Sequence, residues 1–172
     1  FLQARLCESL LKTCIKYGPI AIEHPKNYEA RANLMWSSSL AINGLLSYGA
    51  GVAWGVHPME HQLSAFYDIT HGEGLAILTP FWMEYILNEE TVCKFVDYGV
   101  NVWGIDENDG SWNIAKKAIK LTREFFEKMG LPNSLGDVGI DEQKLKIMAD
   151  KLDGKLDDAF VPLSGLDVYN IY

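Results

Sequence analysis

Three of the chain's four histidines fall in one stretch, His57-Pro58-Met59-Glu60-His61-Gln62-Leu63-Ser64-Ala65-Phe66-Tyr67-Asp68-Ile69-Thr70-His71-Gly72. Neutral imidazole binds first-row divalent metals, and its ordinary pKa near neutrality also suits it to carry protons. If the segment after Pro58 is helical, His57 and His61 stand four positions apart and share a face. Thr70-His71-Gly72-Glu73 has the form of a capping box, with Thr70 as N-cap and Glu73 three residues on, so a helix should start at His71. The turn before it could return that ring to the other two. The nearest acid, Glu60, directly precedes His61, so the HExxH arrangement of metalloproteases does not apply, and no zinc-finger cysteines are at hand. A catalytic metal site wants three or four protein ligands. Spacing alone leaves two readings equally open: metal ligands, or hydrogen-bonded histidines in structural roles.

The elements that must position these rings all read as helices. Leu6, Leu10, Leu11 and Cys14 recur at helical spacing, and Gly18-Pro19 predicts the end of that helix. Asn27 is a cap for a second helix, with Glu29 in its first turn. From Ala32 to Met59 there is no Lys, Arg, Asp or Glu. That length would permit a membrane span, but Asn33, Ser37, Ser38, Ser39, Asn43 and Ser47 interrupt it, and Gly44, Gly49, Gly51 and Gly55 break its helical pattern. The expectation is a helix buried on most sides, then a glycine-rich turn that lets backbone approach something closely. Trp36, Trp54 and Trp82 read first as core. Leu75–Leu87 should form a helix kinked or broken near Pro80. Val92–Trp103 and Trp112–Met129 follow, the latter closed by Gly130 with Pro132 beyond. Asp141 caps a helix through Leu152, and Pro162–Tyr172 begins a last short one. His24, before Pro25, reads as a surface turn residue. No strand pattern competes, so the fold class is all-α, with residues 1–172 as a single domain.

A chain of 172 residues, 48% hydrophobic, is long enough to bury a core. Its net charge of -8, with no basic cluster, argues against nucleic acid and anionic membranes as partners. Cys7, Cys14 and Cys93 are odd in number and not in CxxC spacing, which suggests neither a disulfide framework nor a thiolate site; a cytoplasmic setting is expected. No signal-peptide pattern opens the chain, and its start within a helical pattern suggests a fragment.

One resemblance draws these residues together. Asn27-Tyr28-Glu29-Ala30-Arg31-Ala32-Asn33, Trp36, Asn43-Gly44, His57 to Ser64, Tyr67-Asp68, His71-Gly72, Gly74-Leu75-Ala76-Ile77 and Pro80 form one series. Val102-Trp103-Gly104 and Gly130-Leu131-Pro132 extend it along the chain. The series resembles the iron-containing alcohol dehydrogenases, nearest their butanol-dehydrogenase branch.

The resemblance implies the multi-helical C-terminal domain of the iron-containing alcohol dehydrogenase and dehydroquinate synthase-like fold, without the N-terminal α/β domain that binds NAD(P)H. It further implies a divalent metal, Fe2+ or Zn2+, held by one Asp and three His. The last two of those histidines match His57 and His71 by their spacing of fourteen residues. His61 matches the neighbouring histidine beside nicotinamide and substrate, where it would relay a proton. The Asp and first His are expected upstream of Phe1, so the chain alone should hold metal weakly and show no dehydrogenase activity. The implied partners are a small alcohol or aldehyde, whose apolar channel Tyr48, Ala53 or Trp54 could face, and the nucleotide-binding domain; the oligomeric state is left open, a homo-oligomer being one expectation. The alternative is a stand-alone helical interaction module whose histidines are structural.

Overall fold

The computed structural model describes residues 1–49 and 54–172. The expectations for Gly51 and Ala53 therefore lie outside the described residues. Eight α-helices and three 3-10 turns make up the regular structure of the described residues, and the only strand-like feature among them is an isolated antiparallel bridge between Leu156 and Leu163. The all-α expectation holds. No helix of the described residues is long and apolar enough to cross a membrane.

The chain divides into two compact units, Phe1–Gly51 with Glu89–Leu121, and Val52–Asn88 with Thr122–Tyr172. In the first unit, α1 (Leu2–Glu23) packs along α2 (Tyr28–Ile42). Pro19 does not end α1 as expected: the helix continues through it for four more residues to Glu23. Proline removes one hydrogen bond at a cost of about 3 kcal/mol, and the packing of α1 on α2 offsets that loss. The cap at Asn27 forms as expected, its side chain accepting from the Ala30 amide at 3.0 Å. The expectation that α2 is buried on most sides is corrected: only Ala30 and Ser37 are buried, and Trp36 is 68% exposed. α5 (Val92–Asn101) meets the early part of α6 (Ser111–Lys128), where a Cβ on Gly99 would stand 2.6 Å from Ile114 Cγ2. Gly99 thus permits a close approach that no side chain would.

The second unit holds the histidines. α3 (Val56–Tyr67) and α4 (His71–Ile86) form its central pair, and α7 (Leu145–Asp150) and α8 (Gly165–Ile171) pack on them. Met59, Leu63, Ile77, Leu78, Ile86, Met148, Leu156 and Val168 are among its largest buried apolar side chains. α4 starts at His71 as expected, yet Thr70 makes no side-chain cap; its carbonyl instead accepts from the Glu73 and Gly74 amides. Pro80 is buried inside α4 without breaking it. The helix expected from Asp141 to Leu152 is shorter: Asp141 caps a 3-10 turn at Glu142–Lys144 and only then does α7 begin. α8 opens with a full capping box, Ser164 and Asp167 bonding reciprocally.

Candidate metal centre

α3 is closed by its C-cap Asp68, which takes the left-handed conformation with φ 54°, and three residues later α4 begins at His71. This tight reversal returns His71 over α3. The ring centroids of His57 and His71 lie 5.4 Å apart, those of His61 and His71 5.5 Å, and those of His57 and His61 6.2 Å. The three imidazoles singled out by spacing therefore meet in one place. The i and i+4 relation of His57 and His61 along α3 and the folding back of His71 both contribute.

Beneath the rings lies Glu60, fully buried among Met59 and Leu63. A buried carboxyl group is costly unless hydrogen-bonded. Its Oε2 contacts His71 Nδ1, and its Oε1 accepts from the Ser64 hydroxyl. Gly74 makes the room: a Cβ there would stand 2.8 Å from Glu60 Cγ and 3.0 Å from Oε1. The sequence located Glu60 but assigned it no role. The signal was present, since Glu60 shares the stripe of Val56, Met59 and Leu63 at helical spacing, and an acid on an apolar stripe must find a partner.

The electrostatics of the cluster favour a neutral ring at His57. Burial, then the neighbouring His71 and His61, hold His57 below its ordinary value, with Glu60 pulling the other way. A neutral imidazole keeps the lone pair that a Lewis acid needs. One ligand atom from each of Glu60, His61 and His71 lies within 4.8 Å of the others. His57 stands beside this set at the ring distances above. The imidazole and carboxylate chemistry of these donors fits iron or zinc, and the exposed edges of His61 and His71 give a ligand access.

Beside His57 a cavity of about 250 Å³ is lined by Trp54, Gly55, Val56, Leu75, Thr79 and Trp82. Trp54 sets its ring edge against His57, centroids 4.5 Å apart, and is 54% exposed, so the expectation of a core residue is corrected. Gly55 fulfils the expectation of a close backbone approach: a Cβ there would stand 2.8 Å from Trp82 Nε1. The Trp82 N–H is buried without a hydrogen-bond partner. Tyr48 lies in the other unit, 77% exposed, with its ring against Gly44.

The described residues thus define an all-helical protein with an imidazole and carboxylate cluster at a helix reversal, a donor set suited to a divalent metal ion. Residues 2–171 match the Fe-containing alcohol dehydrogenase family, C-terminal, and the chain belongs to this family. It is 60% identical to NADH-dependent butanol dehydrogenase B of Clostridium acetobutylicum, covering 100% of this chain and 45% of that protein. Butanol dehydrogenase A of the same organism is 56% identical with the same coverage. Among solved structures, the aldehyde reductase YqhD of Escherichia coli superposes with a TM-score of 0.90 at 31% identity, over 99% of this chain and 45% of its own. NADH-dependent butanol dehydrogenase A of Thermotoga maritima gives 0.89 at 34%, with the same coverages. The chain thus spans about half the length of the relatives it matches.

Proposed function

We propose that this chain is the metal-binding part of an NAD(P)H-linked alcohol dehydrogenase that interconverts small primary alcohols and aldehydes. In this reading residues 1–172 act as one helical domain beside a nucleotide-binding α/β domain, in a cytoplasmic enzyme. His57 and His71 are metal ligands, completed by groups outside this chain, and His61 is the proton relay on the nicotinamide side. Iron is the favoured ion, with zinc as the other candidate. The observation that carries the proposal is the meeting of three imidazoles over buried Glu60, in a chain 60% identical to a protein named as an NADH-dependent butanol dehydrogenase.

When bound, the metal supplies Lewis acidity worth several kcal/mol at the substrate oxygen, and the nicotinamide supplies the hydride. The chain's own groups do the rest. His57, held below its ordinary pKa, offers a neutral nitrogen. His71 is fixed by Glu60 at one nitrogen and keeps the other for a ligand. His61, exposed, is free to take the substrate's proton and pass it to water. The cavity beside His57, lined mostly by apolar groups, suits a short hydrocarbon tail.

The test is made on the full-length protein, with metal content measured by elemental analysis and activity by NAD(P)H-linked reduction of butanal. His57→Ala and His71→Ala should each lose metal. His61→Ala should keep it while kcat falls about 10²- to 10⁴-fold, the usual range for a lost acid–base group. A His57→Ala, His71→Ala double variant with full metal content would refute the ligand assignment.

A further inference from the structure

Glu60 is the group whose position the proposed function does not require, and its surroundings are the most constrained in the second unit. It is fully buried, yet both oxygens are engaged, one by His71 Nδ1 and the other by the Ser64 hydroxyl. With Glu60 as a carboxylate, which accepts hydrogen bonds and donates none, the bond to His71 has its hydrogen on Nδ1. The Nε2 of the neutral ring then carries the lone pair. Ser64 lies one helical turn beyond Glu60 on α3 and steadies the other oxygen, with the Ile69 carbonyl 3.3 Å from its hydroxyl oxygen. Gly74 closes the fourth side, admitting the Glu60 stem where any larger residue would collide.

We propose that Glu60 is a positioning residue: it fixes His71 in the Nδ1–H form, reserves Nε2 for the metal, and does not itself ligate the ion. The proposal rests on the metal-site reading above and adds a residue to it. Partners of this kind orient a ligating imidazole and raise its basicity, and their loss costs about 10- to 100-fold in metal affinity. The competing arrangement counts Glu60 with His61 and His71 as direct ligands, since their ligand atoms do lie within 4.8 Å of one another. One feature opposes it. Both Glu60 oxygens are already engaged, one by the Ser64 hydroxyl and the other by His71 Nδ1, so ligation would compete with those bonds for the same oxygens.

The experiment uses the full-length protein in three forms: wild type, Glu60→Gln and Glu60→Leu. The glutamine variant keeps an acceptor oxygen of the same reach but not the charge, whereas the leucine variant keeps neither. Nitrogen NMR of the metal-free proteins reads the His71 tautomer, and this readout is independent of whether any metal binds. Wild type and Glu60→Gln should hold the Nδ1–H form, and Glu60→Leu should lose it. Titration with Co2+ should give affinities lower by about 10-fold for Glu60→Gln and about 100-fold for Glu60→Leu. The Co2+ absorption bands should be unchanged in Glu60→Gln, because no ligand has been removed. Glu60→Gln is nearly isosteric, so it keeps the test decisive if Glu60→Leu fails to fold. A wild-type His71 without the Nδ1–H preference overturns the proposal, as does a Glu60→Gln protein with altered Co2+ bands. A wild type that shows the tautomer yet binds no Co2+ refutes the metal reading while leaving the orientation of His71 established.

Discussion

Two glycines in the first turn of α4 give a prediction whose sign depends on what each one faces. Gly72 has nothing within 4 Å of the place a Cβ would take. Gly74, two residues on, is buried, and its Cβ would meet Glu60 Cγ at 2.8 Å, Oε1 at 3.0 Å and Ile69 Cδ1 at 3.1 Å. In a helix, Gly→Ala reduces the freedom of the unfolded chain, so Gly72→Ala should stabilise by about 0.4–1 kcal/mol. The same gain applies at Gly74 but is opposed by overpacking of about 1–3 kcal/mol. Glu60 cannot move aside without giving up His71 or Ser64, which adds a lost buried hydrogen bond of about 1–3 kcal/mol. Gly74→Ala should therefore be destabilising by about 1–5 kcal/mol. Urea and thermal unfolding of the metal-free proteins measure the difference. Should Gly74→Ala prove as stable as Gly72→Ala, the close approach of α4 to Glu60 is not the constraint described.

Two further outcomes test the packing and the charges of the second unit. Leu63→Ala should cost about 2–5 kcal/mol, because Leu63 is fully buried, whereas Ile147→Ala, half-exposed on α7, should stay within about 0.5 kcal/mol; denaturant unfolding reads both. Asp167 is held below the usual carboxylate range by the Ser164 hydroxyl and then the Tyr85 hydroxyl. A depressed folded-state pKa contributes stability that is complete above the unfolded value, about 4, and is lost as pH falls through the lower folded value. Between about pH 5 and 2.5 the thermal midpoint of wild type should therefore fall more than that of Asp167→Asn, and equal slopes would refute the assignment.

The helices were legible where their signals are local, and the site was legible where it depends on helical spacing. Asn27 and Asp141 cap as their side chains dictate, and His57 and His61 meet because four residues make one turn. Pro19 misled because its penalty is local while the packing of α1 on α2 is not. The charge-free run through Trp36 misled in the opposite sense: apolar composition states what a helix tolerates against it, not what covers it, and α2 is packed within its unit on one face only. Thr70 shows that a capping-box pattern can mark the right residue by a different bond, its carbonyl rather than its hydroxyl. Glu60 is the deeper case. Its neighbours in sequence excluded one metal motif and proposed nothing in its place, because its partner His71 lies eleven residues away across a reversal set by Asp68. The stripe formed with Met59 and Leu63 already required that carboxyl group to be buried, and a buried carboxyl group requires donors. Of the groups the reversal returns to α3, His71 is the one whose ring can donate to Glu60 and still offer a second nitrogen to a ligand. The acid that sets this stretch apart from HExxH is thereby the partner of His71 Nδ1 across the reversal.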